Sequence, residues 1–185
     1  MASLYGERLI KRVLELSVNE NWETAVKEWE IIDCDEDEDR AESCICGKEE
    51  LYYLFKIRNT KNGNVLYPIG SSCIKRFGRE DLDDEAAIRE KMFKLYHAID
   101  NNQFISLSTE LFSRKILERL YHEGAFNTEY NHYDGSNDYE FMLKMFNKRD
   151  KSSITMSQQK KIRAIIVASI RPYLRQKLAD KAHHC

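Results

Sequence analysis

Long apolar runs are missing from this 185-residue chain. None approaches the roughly 20 residues that a membrane-spanning helix needs. The opening residues, Met1-Ala2-Ser3-Leu4-Tyr5-Gly6-Glu7-Arg8, lack the basic and then apolar layout of a secretory leader. Proline is nearly absent, at two residues, and glycine is scarce, at seven. That excludes collagen-like and low-complexity classes and leaves helix as the expected majority. Signatures of common enzymes are missing too: there is no Gly-x-Ser-x-Gly, Walker loop, Gly-x-Gly-x-x-Gly or His-Glu-x-x-His. The expectation from these absences is a soluble, cytoplasmic, non-enzymatic chain with no membrane partner. His122 and His132, near Glu129 and Asp134, are the one grouping that a small nuclease could use for acid–base work. Decoration of a polar surface is the plainer reading of the same residues.

What is present is enough apolar sequence for a core, 42% of residues, in a length that suits one domain with an appendage or two small ones. Charge is abundant but unevenly placed. Residues 1–100 carry 15 Lys/Arg against 22 Asp/Glu, whereas residues 101–185 carry 14 against 9. The basic excess peaks from Lys144 to Lys181, with 11 cations opposed only by Asp150 and Asp180. Such a segment can hold phosphates or an acidic protein surface. The acidic extreme, Asp35-Glu36-Asp37-Glu38-Asp39, reads as a solvated loop, with a DNA-mimicking or cation-attracting stretch as the alternative.

Four of the five cysteines cluster within forty residues of one another: Cys34, Cys44, Cys46 and Cys73. In a chain read as cytoplasmic, metal binding or plain burial is expected of them rather than disulfides. Cys44-Ile45-Cys46-Gly47 is a turn able to aim two thiolates at one ion, with the glycine free to take positive φ. The run Leu51 to Arg58 is aromatic and β-branched and predicts a strand. Asn62-Gly63 is a strong hairpin signal, so Val65 to Ile69 is the returning strand. Gly70-Ser71-Ser72 then turns the chain into a helix near Cys73, whose thiolate meets the positive end of that helix. The order resembles a treble-clef zinc finger. Zinc in a structural site takes four ligands; Cys44, Cys46 and Cys73 supply three. Cys34 is the first candidate for the fourth and His97 the second, with His183, His184 and Cys185 behind them.

Glu28-Trp29, the Cys-x-Cys-Gly turn, a hairpin carrying Asn59 and Asn62-Gly63, and Ile69-Gly70-Ser71-x-Cys73-Ile74-x-x-Phe77 together resemble a small zinc module. That module recurs in uncharacterised bacteriophage and prophage proteins and in segments of large DNA viruses. The resemblance spans about residues 22–80 and implies a viral or mobile-element origin. Lys48 stands where some relatives carry a histidine, so the resemblance does not supply the fourth ligand.

The remainder predicts helices: Leu4 to Leu16; Trp22 to Ile31, capped by Asn21; Asp83 to Ile99; Ser108 to Tyr121, capped by Ser108; and Asp138 to Asn147. A final helix opens on the capping box Thr155-Met156-Ser157-Gln158 and runs to about Ala179, with a kink expected at Pro172. The expected fold class is therefore an α-rich α+β protein carrying a zinc-stapled hairpin. Its expected organisation is N-terminal helices over 1–32, the hairpin module over 33–80 and a helical domain over 81–185. Candidate binding residues are Lys56, Arg58, Lys75 and Arg76 around the module, and Lys160, Lys161, Arg163, Arg171 and Arg175 on the last helix, with Tyr52, Tyr53 and Tyr67 as aromatic company. The functional expectation is a protein that acts by binding a host nucleic-acid-handling machine, as an anti-defence inhibitor of the anti-CRISPR type. Direct binding of DNA or RNA is the alternative.

Overall fold

A computed structural model describes residues 3–182; His183, His184 and Cys185 lie outside the described residues. The backbone groups into two compact units, Met1–Glu90 and Lys91–Cys185. The chain is α-rich with one small antiparallel sheet, an α+β protein. No helix among the described residues is long and apolar enough to cross a membrane.

In the first unit, α1 (Leu4–Leu16) starts where the Ser3 hydroxyl accepts from the Gly6 N–H, and it buries Leu9 and Val13. α2 (Trp22–Ala25) starts at Asn21, whose side chain accepts from the Glu23 N–H. The sequence predicts that this helix continues to Ile31. Instead it tightens into a 3₁₀ turn over Val26–Glu28 and becomes strand β1 (Trp29–Glu36). The apolar spacing behind that expectation is real, since Ala25, Val26 and Trp29 are all buried. What ends the helix is Glu28, whose carboxylate is held inside the fold, and the β-branched pair Ile31-Ile32 that follows.

β1 pairs with β2 (Tyr53–Asn59), which pairs with β3 (Val65–Ile69), so β2 is central. A register shift between Ile31 and Asp33 inverts the inward-facing parity of β1. Trp29 and Ile31 face inward before it and Cys34 after it, leaving Asp33 and Asp35 in solvent. The acidic run expected as loop is thus partly strand: Asp35 and Glu36 pair with Leu54 and Tyr53. Pro68 sits on β3, an edge strand, where a missing N–H is tolerated. The one-turn helix α3 (Ser71–Ile74) follows and buries Cys73 and Ile74.

α4 (Glu80–Asp100) starts three residues earlier than the sequence predicts. In the second unit, α5 (Arg114–His122) begins at Ser113, not Ser108, because the Ser113 hydroxyl caps the Ile116 N–H. Ahead of it, residues 103–108 form neither helix nor strand, and residues 109–111 make a turn. Tyr121 of α5 stacks on Tyr139 of α6 (Ser136–Asn147), ring centroids 4.4 Å apart. Gly135, before α6, is required sterically: a Cβ there would fall 2.5 Å from Phe126 Cβ and 2.7 Å from its backbone carbon. α7 (Met156–Ile165) opens on the expected Thr155/Gln158 capping box. A π-helical turn over Ile166–Ile170 then leads into α8 (Arg171–Ala182). The expected disturbance lies here, because Pro172 has no N–H to give Ala168 and the preceding turn widens.

Candidate metal centre and charged faces

Two turns bring three sulfurs together. The Cys44 N–H donates to the Lys48 carbonyl (2.8 Å) and the Gly47 N–H to the Cys44 carbonyl (2.7 Å), closing the first turn around a Gly47 at φ +87°. Ile45 N–H donates to the Pro68 carbonyl (2.9 Å), which docks this turn on β3. The second turn is Gly70 into α3, which presents Cys73. A Cβ on Gly70 would meet a terminal methyl of Leu51 at 2.9 Å, so a larger residue there would push that side chain aside. Its N–H points at the Cys44 sulfur at 3.4 Å.

The Cys44 and Cys73 sulfurs are 3.6 Å apart, those of Cys73 and Cys46 3.4 Å, and all three lie within 4.8 Å of one another. A disulfide would bring two of them to about 2.05 Å; these thiols are free. Sulfurs on a tetrahedron with metal bonds of about 2.3 Å stand about 3.8 Å apart. The cluster matches that spacing, and its three cysteines could hold a metal ion. The thiols already compete for protons. Hydrogen bonding from Cys73, helped by N–H groups including that of Gly70 and opposed by burial, brings Cys44 down to about 5. Cys73, hydrogen-bonded to Cys44 and buried, is pushed up. One sulfur carries charge while a neighbour keeps the proton, the position a cation would take over.

Cys34 and His97 are not members of the cluster. Cys34 lies on β1 opposite Phe55, buried, with its thiol 3.7 Å from the Asp35 carbonyl. His97 is on α4, in the second unit. A cavity of about 150 Å³ adjoins Cys44 and Cys73, and Lys48, Glu50, Ser71 and Ser72 line it.

Two hydrogen-bond clusters brace this sheet. Glu28, fully buried, accepts from the Val18 N–H (2.8 Å), the Asn19 N–H (2.9 Å), the Asn19 amide and the Asn59 amide (2.6 Å). Burial alone would raise its pKa; those donors, Asn59 foremost, bring it down to about 2. Trp29 Nε1 donates to Ser17 (2.9 Å), and the Asn62 and Asn64 amides both donate to the Leu16 carbonyl (3.0 Å). Several residues that carry the sequence resemblance, Glu28, Trp29, Asn59 and Asn62, are therefore the ties between the N-terminal helices and the hairpin. The sequence does not reveal this role for Glu28; its signal is a glutamate between two otherwise apolar helical positions.

Next to the metal turns lies an acidic face. The Tyr67 hydroxyl is 3.5 Å from Asp35. Burial, then Asp35, Glu42 and Asp33, raise the Tyr67 pKa. Burial, then Glu36 and Glu38, raise that of Tyr52, and burial with Glu36 and Glu90 pushes Tyr53 up to about 12. Carboxylates thus converge on three tyrosines, with Arg40 over the Tyr52 ring (5.5 Å) and Arg89 4.0 Å from Asp33.

The candidate cations are mostly engaged within the chain. Lys56 lies over Tyr67 (5.9 Å), Arg58 bridges Glu30 (2.7 Å), and Arg76 donates to Ser3 (3.1 Å). Lys161 pairs with Asp138 (3.5 Å) and covers Phe141 (4.5 Å), while Arg171 and Arg175 share Asn102. Arg163 lies over Phe104 (5.2 Å); Lys75 and Lys160 are exposed. His122 sits 3.9 Å from Glu118, and His132 ends the 3₁₀ turn Glu129–Asn131. Comparison with known proteins finds no matching family model, no matching curated protein and no matching solved structure.

Proposed function

We propose that the chain is a non-enzymatic, zinc-stapled binding protein of phage or mobile-element type that docks on a nucleic-acid-handling protein machine of its host. In this reading it is an anti-defence inhibitor of the anti-CRISPR type, and the acidic, tyrosine-bearing face of its sheet occupies a basic channel. The observation that carries the reading is the convergence of Asp33, Asp35, Glu36, Glu38 and Glu42 on Tyr52, Tyr53 and Tyr67. Carboxylates along β1 and the loop after it, with aromatic rings between them, are complementary to a basic partner surface of the kind that holds phosphates and stacked bases.

Zinc is the ion that a cluster of thiolates at this spacing fits best. Bound to Cys44, Cys46 and Cys73, it would supply a covalent-strength tie between two turns that bury little apolar surface. The tie would hold β2 and β3, and with them the acidic face, in one register.

Direct binding of DNA or RNA is the second reading, favoured by exposed Lys75, Lys160 and Arg163. The internal ion pairs of Arg58 and Lys161 count against it, since those cations already face carboxylates.

The test is affinity purification from a bacterial host with wild-type bait and with Asp33→Lys/Asp35→Lys bait. Both positions are exposed, so the reversal leaves the core intact. The expected result is a nucleic-acid-handling partner whose recovery falls at least about tenfold with the reversed face and which DNA displaces from the wild type. Equal recovery by both baits overturns the docking face. Salt-dependent binding of DNA by the purified chain itself, with no protein partner, overturns the reading in favour of the second.

A further inference from the structure

The second unit carries an apolar groove that neither the metal turns nor the acidic face involves. Its volume is about 830 Å³. One wall is the face of α7 that presents Met156, Lys160 and Arg163 at helical spacing; the other is the irregular segment around Phe104. Ile162 and Ile166 form the floor and are buried. Phe104 and Met156, one from each of these two segments, are 69% and 74% exposed. A buried small ligand needs walls that close over most of its surface, and these two side chains stand out in water. Apolar side chains left this bare are covered by a partner that lies along the groove and reaches over both edges.

The charge around the groove names the partner's chemistry. Lys160 and Arg163 are three residues apart on one helical face, and no carboxylate lines the groove among the described residues. The guanidinium of Arg163 lies over the Phe104 ring at 5.2 Å, which fixes a planar donor at the rim. Lys151 is at the far end, but its ammonium already donates to the Met145 and Phe146 carbonyls (3.1 and 2.5 Å). Two methionines, Met145 and Met156, give the apolar lining the adaptability seen where helices are bound.

We infer that this groove receives an acidic amphipathic helix of a protein partner, its apolar stripe against Phe104 and Met156 over the floor of Ile162 and Ile166, and its carboxylates on Lys160 and Arg163. The inference does not rest on the docking of the acidic face, which lies in the other unit.

A direct test uses synthetic helical peptides of about four turns, labelled for fluorescence anisotropy, with the full-length protein. One has a leucine stripe flanked by glutamates; a second has the same stripe flanked by lysines. The glutamate peptide should bind at least about tenfold more tightly than the lysine peptide. Lys160→Glu/Arg163→Glu should invert that preference, and Phe104→Ser/Met156→Ser should weaken both. All four side chains are exposed, so circular dichroism of the variants should match the wild type. Equal binding of the two peptides, or binding of neither, overturns the inference. So does sodium dodecanoate that binds at the groove where the glutamate peptide does not, which would make the ligand a small amphiphile. A dimer by light scattering that Phe104→Ser/Met156→Ser converts to monomer also overturns it, because a second copy would then be the occupant.

Discussion

Glu28 shows how a single carboxylate can decide a local fold. With its side chain out of solvent, it would be a liability without partners. Here two backbone N–H groups and two side-chain amides converge on it. Removing the acceptor strands those donors in the interior. Glu28→Ala should therefore cost about 3 kcal/mol in urea denaturation. The pH response has a definite sign. A pKa brought down from the ordinary 4.5 to about 2 means that the stabilisation is complete above about 4.5 and fades as the pH falls toward 2. Glu28→Gln should flatten that part of the stability profile, and an unchanged profile would remove Glu28 from this role. The cysteines give a second residue-scale prediction. Native mass spectrometry of the purified protein should find a bound metal ion, as proposed, and Cys44→Ser, Cys46→Ser and Cys73→Ser should each lose it. Cys34→Ser should keep it, because Cys34 is a buried strand residue outside the cluster. Loss of metal in Cys34→Ser would restore it as the fourth ligand that the sequence alone favours.

Among the elements, those with their own end signals are legible in the sequence. Asn21 and Thr155 mark helix starts, and Asn62-Gly63 marks the hairpin, because capping and turn chemistry are local. β1 is not legible, for two physical reasons. Trp22, Val26 and Trp29 have true helical spacing, so the pattern does not show the chain changing conformation at Glu28. The bulge after Ile31 then breaks the alternation that would betray a strand. Cys44, Cys46 and Cys73 are readable as one site because each sits on a glycine-marked turn. The acidic face is not, since it forms only when β1 lies antiparallel to β2 and brings Asp35 beside Tyr67. Ser113 instead of Ser108 as the start of α5 shows the opposite limit, two equivalent caps five residues apart with only packing to choose. Thr155 has no such rival. Thr155→Ala should cost about 1 kcal/mol in thermal unfolding through loss of the capping box, and a change within measurement error would show that packing of α7 makes the cap redundant.

At the scale of the whole molecule, apolar burial supports both units, with Leu9, Trp29, Phe55, Ile57, Ile69 and Ile74 out of solvent in the first, and the proposed metal tie would add a second source to the first unit alone, which can be measured. In the second unit, large apolar side chains carry the core: Phe112, Ile116, Leu117, Leu120, Phe126, Met142, Ile170 and Leu174 are essentially out of solvent. In the first, the stretch from Cys44 to Leu51 has no helix or strand of its own, and three buried cysteines together with Leu51, which approaches Gly70, pack between its turn and α3. Burial of three thiols contributes little compared with a row of leucines, so a metal held by them, as proposed, would add to the stability of these turns. Hydrogen exchange before and after a strong chelator separates the two sources. Chelation should release protection across residues 44–77, where β2, β3 and α3 depend on the tied turns. Amides of α5, α6 and α7 should keep theirs, because no cysteine described in the second unit takes part in the core. Glu28 should limit the damage: its hydrogen bonds to Asn59 need no metal, so the β1 end nearest Trp29 should exchange more slowly than the end nearest Glu36. Uniform loss of protection over both units would mean that the protein unfolds as one cooperative body. Full retention in residues 44–77 would mean that the three cysteines pack as small apolar residues, and the staple would have to be abandoned.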